Sequence, residues 1–186
     1  TWTKVGDYSY YLKDNKFLKN CVANIGGSRY GFNWEGQRYE NTTFDMWDDE
    51  KEAYFYYRAD ESGRLITGWY QAGDDWYYYG SDRIGYEGLQ TVNGKQYYFS
   101  QGRMCCSQKV EADGKLYVAD KNGTLVEAKN NTWTKVDGIY YYAQNGKFLS
   151  NTVAKIGNAY YGFDWQGHMY ADNMFSIWKD GQDLYY

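Results

Sequence analysis

The chain has 186 residues, among them 24 Tyr, 8 Trp and 21 Gly but no Pro, a usage far from that of an ordinary globular domain. Aliphatic residues are sparse and the mean hydropathy is -0.85, which argues against one large aliphatic core and for small aromatic clusters strung along an elongated molecule. The formal charge of -4 and pI near 5.0 exclude a basic, phosphate-tracking surface, so no nucleic-acid partner is expected.

No apolar run approaches the ~20 residues of a membrane span. Thr1 opens no signal-peptide pattern of basic, apolar and small residues, so export would require a leader that was removed or lies outside the chain. Cys21, Cys105 and Cys106 form an odd set without metal-ligand spacing, which points to neither a disulfide framework nor a zinc site. Adjacent Cys105 and Cys106 are expected on opposite faces of a strand, as inert residues.

Self-similarity appears at two scales. Thr1-Trp2-Thr3-Lys4-Val5 returns as Thr132-Trp133-Thr134-Lys135-Val136, 131 residues later. The same offset carries Lys16-Phe17-Leu18 onto Lys147-Phe148-Leu149, Tyr30-Gly31-Phe32 onto Tyr161-Gly162-Phe163, and Trp47 onto Trp178. The second copy stops at Asp183-Leu184-Tyr185-Tyr186, where the first runs on through Tyr54-Phe55-Tyr56-Tyr57. The chain therefore reads as an excerpt from a longer array, and its terminal units are expected to fray first because each unit leans on its neighbours.

The finer period is about 20 residues. Asn93-Gly94 lies between Leu89-Gln90-Thr91-Val92 and Gln96-Tyr97-Tyr98-Phe99, and Asp113-Gly114 lies in the unit opened by Lys109. Asn-Gly and Asp-Gly between short aromatic or β-branched runs are strong hairpin signals, since both turn positions need positive φ. The expected fold is all-β, a β-solenoid of stacked hairpins in a single array over 1-186. Its units run roughly 1-20, 21-44, 45-68, 69-88, 89-108, 109-128, 129-151, 152-173 and 174-186, with 132-186 duplicating 1-55. Glycines interrupt every window of helix length, and no 3.6-residue period is present.

Facing follows from register. With Gly73 and Asp74 at the turn centre, Gln71 opposes Trp76 and Trp69 opposes Tyr78, so these four share one face. Tyr70, Ala72, Tyr77 and Tyr79 take the other. Val92, Tyr97, Phe99, Val136 and Tyr141 recur on that second side, which is assigned to the core. The side bearing Trp69 and Trp76 is left free. Asp48-Asp49-Glu50-Lys51-Glu52 and Lys179-Asp180-Gly181-Gln182-Asp183 replace a two-residue turn and predict longer, solvated loops. Their acids do not have the spacing of a Ca²⁺-binding EF-hand, and an exposed charged tip is the reading adopted.

Thr67-Gly68-Trp69 followed by Trp76-Tyr77-Tyr78-Tyr79, and Val92-Asn93-Gly94-Lys95-Gln96-Tyr97-Tyr98-Phe99 after it, resemble the cell-wall-binding repeat family. That family comprises the choline-binding repeats of Gram-positive surface proteins and the related glucan-binding repeats. The resemblance spans nearly the whole chain, most clearly 62-104 and 132-161. It implies a β-solenoid of hairpins with ligands held between successive units by aromatic side chains. It also implies an extracellular setting, secreted or on a bacterial surface, and appendage to wall enzymes, glucan-synthesising enzymes, adhesins or toxins. Rings can hold a quaternary ammonium through cation-π attraction of ~0.5 to 2 kcal/mol per contact; sugars can stack on the same faces.

Carried over from the resemblance, the pocket uses the Trp after Gly, the first aromatic after the turn, and the matching aromatic of the next unit. Trp69 and Trp76 supply two positions, but the third is Gln96; Tyr78 and Tyr98 share the same outward face, and Tyr98 could replace the missing wall. Trp133, Tyr140 and Tyr160 fill all three. Their first-copy counterparts Trp2, Ser9 and Arg29 leave two walls missing, and Leu89 and Lys109 stand at the Trp position of their units. Tyr77, Tyr97, Tyr141, Phe99 and Phe163 are assigned to packing, as are Trp34, Trp165, Trp47 and Trp178, which recur only at the long offset.

An enzyme is disfavoured. His168, the only histidine, has Gln37 as its first-copy counterpart, and Asp74 and Asp75 sit at a turn tip where their acidity should be ordinary. No phosphate loop, nucleophile elbow or metal motif appears, and no cofactor is implied. The function read from the sequence is a non-catalytic module binding a choline-bearing wall polymer or a glucan-type polysaccharide. Competing readings are a ligand-free spacer or adhesive stalk, and the binding part of a cell-wall hydrolase whose catalytic domain lies elsewhere.

Overall fold

The structure is a computed structural model that describes residues 1-172, 174-179 and 181-185. Every regular element among the described residues is a β-strand, and most pair as antiparallel hairpins, with the short strands Lys16–Phe17, Arg103–Met104, Leu125–Ala128 and Lys147–Phe148 added at hairpin edges. The turns close where the Gly dipeptides predict, with Ala72 opposite Asp75, Val92 opposite Lys95 and Ala112 opposite Lys115. At Asn93 and Gly94 the φ values of 50° and 78° are both left-handed. That is the mirror-image turn whose twist matches the strands it joins. Trp69 faces Tyr78 and Gln71 faces Trp76 across the ladder, as register reasoning requires.

The chain forms two compact units, residues 1-86 with 101-103, and residues 87-100 with 104-186. In the first, hairpins Trp2–Val5/Tyr8–Lys13, Cys21–Ile25/Ser28–Phe32, Thr42–Asp48/Ala53–Ala59 and Gly68–Ala72/Asp75–Tyr79 follow one another. A backbone bond ties the stretch after each hairpin to the hairpin before it: Arg38 N donates to Ser9 O at 2.8 Å, Leu65 N to Arg29 O at 2.9 Å, and Gly85 N to Tyr56 O at 2.8 Å. The second unit repeats the device, Met169 N donating to Tyr140 O at 2.8 Å.

A second recurring element is a five-residue turn closed by its first and last residues. Asn33 pairs with Gln37, Asp60 with Arg64 and Gly80 with Ile84 in the first unit, and Asp120 with Thr124 and Asp164 with His168 in the second. Where the first residue is Asn or Asp, its side-chain oxygen accepts from amides inside the turn, as Asp60 does from Ser62 and Arg64. Side chains of this kind mimic a backbone turn. Burial alone would raise the Asp60 carboxyl, but these bonds and the Arg64 charge outweigh it and hold it below its usual value.

The core consists of small clusters. Phe44, Tyr57, Ala59 and Leu65 form one in the first unit. In the second, Val110, Tyr117, Ala119 and Leu125 form one cluster, and Leu116, Val118, Ala128, Val136, Tyr141, Ala143 and Phe148 another. On the face assigned to the core, Tyr79, Val92, Phe99, Val136 and Tyr141 are buried and Phe163 is fully so, but Tyr70, Tyr77 and Tyr97 are only partly buried and Ala72, next to its turn, is exposed.

Three expectations are corrected. Cys105 and Cys106 lie in the connection after strand Arg103–Met104, not within a strand, and Cys21, Cys105 and Cys106 form no disulfide among the described residues. The acidic loop of the first copy is long, with Asp48 opposite Ala53, but in the second copy Lys179 opposes Gln182, because Gly181 permits a short turn there; Asp180 and Tyr186 lie outside the described residues. Strands Thr42–Asp48, Gly68–Ala72, Gly88–Val92 and Gln108–Ala112 begin before residues 45, 69, 89 and 109, so the rough unit boundaries expected there fall inside strands, by one residue in the last three.

Gly31 and its counterpart Gly162 are required by packing. A Cβ on either would overlap the ring of Phe44 or Phe175, each of which is stacked on a tyrosine, Tyr39 at 3.9 Å and Tyr170 at 4.1 Å between centroids. Gly31→Ala is expected to destabilise the first unit by roughly 1-3 kcal/mol through overpacking. Phe44→Leu in the Gly31→Ala background should recover part of the loss in chemical denaturation, whereas additive losses would contradict the contact.

Candidate functional site

Two aromatic corners stand on the outward face of the hairpins. In the first unit Trp69 and Trp76 meet at 6.1 Å between centroids with planes 84° apart. In the second, Trp133 and Tyr140 meet at 6.2 Å and 88°. The match is a consequence of hairpin geometry: in both, the tryptophan lies diagonally across the ladder from a ring two residues before its direct partner. The direct partners Tyr78 and Tyr142 back the tryptophans edge-on at 5.0 Å. Trp69, Trp76 and Tyr140 are 37-38% exposed, enough for an external group to reach into each right angle.

Trp133 is held from behind by Tyr161 at 4.9 Å and Phe163 at 6.0 Å. Tyr160, the expected third wall, is instead 71% exposed and sits opposite Lys155, whose ammonium lies 6.0 Å from its ring. Tyr161 opposes Ala154 in that register, and one step along a strand reverses the face of a side chain. The next hairpin thus turns its other face to Trp133, and Tyr161 supplies the wall.

The first copy is corrected in the same way. Trp2 meets Tyr11 and Tyr30 at 5.0 Å and Phe32 at 6.1 Å, so the wall looked for at Arg29 is present as Tyr30. Only Ser9 lacks a ring. Arg29 instead donates to Asp82 O at 2.5 Å.

Tyr98 lies in the other unit from Trp69 and Trp76. It opposes Leu89 and packs, partly buried, against the Val110 cluster. Lys109, at a Trp position, is half-buried, and its ammonium donates to Trp165 O at 3.4 Å. Burial pushes its pKa down, opposed by the charges of Asp164 and Glu111.

Trp34, Trp47, Trp165 and Trp178, expected to be structural, are among the most exposed large side chains, at 77, 49, 75 and 62%. Trp34 and Trp165 occupy the second position of the five-residue turn, where the other copies carry exposed Glu61, Ser81 and Lys121. The turn therefore forms without an indole. Tryptophan type alone misled, since periodic placement does not distinguish inward from outward.

The Trp133 corner borders a cleft of about 250 Å³ lined by Glu127, Lys129, Thr132, Thr134 and Lys135 as well as the indole. The Lys135 ammonium lies 4.6 Å from the Tyr140 ring centroid. A flat aromatic face ringed by hydroxyl, ammonium and carboxylate groups can stack a sugar ring and bond its hydroxyls.

His168 and Asp164 are the one pair resembling acid-base machinery among the described residues, with Nδ1 3.0 Å from Oδ2. Their first-copy counterparts Gln37 and Asn33 make the same contact, Nδ2 donating to Oε1 at 2.9 Å. The contact closes a turn in both copies, and the His168 ring stands edge-on to Tyr141 at 5.3 Å.

Fold and site together define an array of β-hairpins that displays aromatic corners at its surface. No protein-family model matches the chain. In sequence it is similar to glucosyltransferase-S of Streptococcus mutans serotype c, 29% identical over 150 residues that make up 80% of this chain and 10% of that protein. It is similar to glucosyltransferase-S of Streptococcus downei at 29%, over 76% of this chain and 10% of that one. The chain thus spans about a tenth of the length of these curated relatives. It shares its fold with CbpJ of Streptococcus pneumoniae, at TM-score 0.54 and 23% identity over 91% of this chain and 57% of that one. Choline binding protein F of the same species matches at TM-score 0.55 and 21% identity, with the same coverage. These similarities bear out the resemblance to the choline-binding and glucan-binding repeats.

The two tyrosines separate by experiment. Tyr161→Ala should cost roughly 1-3 kcal/mol, since the ring is packed but only partly buried, while Tyr160→Ala should stay within about 0.5 kcal/mol. Denaturation followed by tryptophan fluorescence measures both, and the reverse order would restore Tyr160 as the wall.

Proposed function

We propose that the chain is a non-catalytic, extracellular binding module, a β-solenoid of hairpins that attaches a larger surface or secreted protein to a glucan-type polysaccharide. The carrying observation is the repeated right-angle corner, Trp69 with Trp76 and Trp133 with Tyr140. Each corner offers one exposed face for stacking and a second ring as a side wall. Support for a glucan over a cation comes from Lys135, whose ammonium already stands over Tyr140. A second cation there meets like-charge repulsion, whereas a neutral sugar gains a hydrogen-bond donor. The sequence similarity to glucosyltransferases supports the same ligand class.

The second reading is a choline-bearing wall polymer. It is favoured by the same perpendicular rings, which suit a quaternary ammonium, and by the fold shared with choline binding protein F.

Titration of the whole chain with an isomalto-oligosaccharide, followed by tryptophan fluorescence, should saturate. Tyr140→Ala should weaken the response roughly tenfold, equivalent to about 1.4 kcal/mol. Lys135→Gln separates the readings by sign: it weakens a sugar that uses the ammonium as donor and strengthens choline. Saturation with neither ligand would leave a spacer or stalk, and hydrolysis of purified cell wall by the chain would overturn the non-catalytic reading.

A further inference from the structure

The two copies share a backbone frame around their tryptophans. Arg38 N donates to Ser9 O and Met169 N to Tyr140 O, each at 2.8 Å; Phe32 bridges Arg38 as Phe163 bridges Met169. The rings behind each tryptophan also correspond, Tyr11, Tyr30 and Phe32 against Tyr142, Tyr161 and Phe163. Around this common frame two positions differ together. Where the second copy has Tyr140 and Met169, the first has Ser9 and Arg38.

Arg38 uses the room that the smaller Ser9 leaves. Its guanidinium carbon lies 4.9 Å from the Trp2 ring centroid and 5.7 Å from that of Tyr30. Its far edge is fixed by Glu40, which accepts from Nη2 at 2.6 Å and Nε at 3.1 Å. Arg38 is largely buried, with a side-chain exposure of 17%. A guanidinium set over an indole, with Nε and Nη2 both donating to one carboxylate oxygen, is well suited to a fixed position. Glu40 balances the charge, so the arrangement needs no external counter-ion.

We propose that the Trp2 site is a self-occupied duplicate of the Trp133 site, its ring face taken by the chain's own Arg38, and that the Ser9/Arg38 pair decides that this copy takes no ligand. The guanidinium takes the position over the indole that a quaternary ammonium or a stacking sugar would take. The Trp2 edge stays 38% exposed beside a cleft of about 260 Å³ of which Ser9, Tyr30 and Arg38 form walls, so what excludes a ligand is the occupied ring face and not a lack of space. Exchanging the pair for the residues of the second copy, Ser9→Tyr with Arg38→Met, opens the site. The identity of the incoming ligand rests on the glucan reading above; the occupancy by Arg38 does not.

The test uses the full chain labelled with 5-fluorotryptophan, each ¹⁹F resonance assigned by Trp→Phe substitution. Without ligand, ring currents should shift the Arg38 δ protons upfield, and Trp2→Leu should abolish that shift; δ protons at ordinary positions would overturn the proposal. With an isomalto-oligosaccharide, and separately with choline, the Trp2 resonance of the wild-type chain should not respond. In the Ser9→Tyr/Arg38→Met variant, with the other fluorotryptophan resonances unchanged as proof of folding, it should shift saturably with one of the two. A Trp2 response in the wild type, or none in the folded variant, overturns the proposal. If Trp133 is silent throughout while Trp2 responds in the variant, the proposal stands and the assignment of ligand binding to the Trp133 corner falls.

Discussion

A two-stranded hairpin cannot bury its own inner face, and an isolated one is marginal in water. The central constraint on this protein is therefore how each hairpin is covered by the next. Through the first unit, and at Met169 and Tyr140 in the second, part of the answer is a backbone bond from the stretch after one hairpin to the hairpin before it, as between Leu65 and Arg29 or Gly85 and Tyr56. These bonds fix where successive hairpins meet. The rings then fill the intervening space, which is why burial falls on small clusters such as Phe44, Tyr57, Ala59 and Leu65. Large aromatic side chains suit this arrangement, because each supplies much apolar area from a single position.

The same frame explains the aromatic corners. A tryptophan at the start of a hairpin is backed by its cross-strand partner and, in the two long copies, by the tyrosine and phenylalanine of the following hairpin. Those contacts hold Trp2 and Trp133 in equivalent places whatever stands in front of them. Variation is thereby confined to the front positions, where Ser9 and Tyr140, or Arg38 and Met169, change what the surface offers without altering the frame. What the surface offers is thus separable from what stabilises the fold, because the two reside on opposite sides of one ring.

Much of this was legible in the residues. Turn dipeptides such as Asn93-Gly94 set the register, register set facing, and facing correctly separated Phe99 and Tyr141 from Trp69 and Trp76. What could not be read was the relation between hairpins. Alternation says that Tyr160 and Tyr161 point opposite ways, but not which of them looks back at Trp133, because that depends on how one hairpin is rotated against the next. The same gap hid Tyr30 behind Arg29. Exposure of Trp34 and Trp165 escaped for another reason: a turn closed by Asn33 or Asp164 reads as a loop in any case, and residue type says nothing about which position of it faces solvent.

Cations of the chain itself recur on these rings, Arg38 over Trp2, Arg58 over Tyr70 at 4.7 Å and Lys135 over Tyr140. A tethered cation and a free ligand making the same contact are not equal competitors. The free one loses translational and rotational freedom on binding, a cost estimated at 4 kcal/mol or more, on the order of several single cation-π contacts. Arg38 bears little of that cost and is additionally held by Glu40, whereas the exposed Lys135 has no ion pair among the described residues. A soluble ligand therefore gains most where the tethered group is loose or supplies a complementary bond, and least where it is clamped. That difference in clamping, more than the number of rings, distinguishes one aromatic corner from the other.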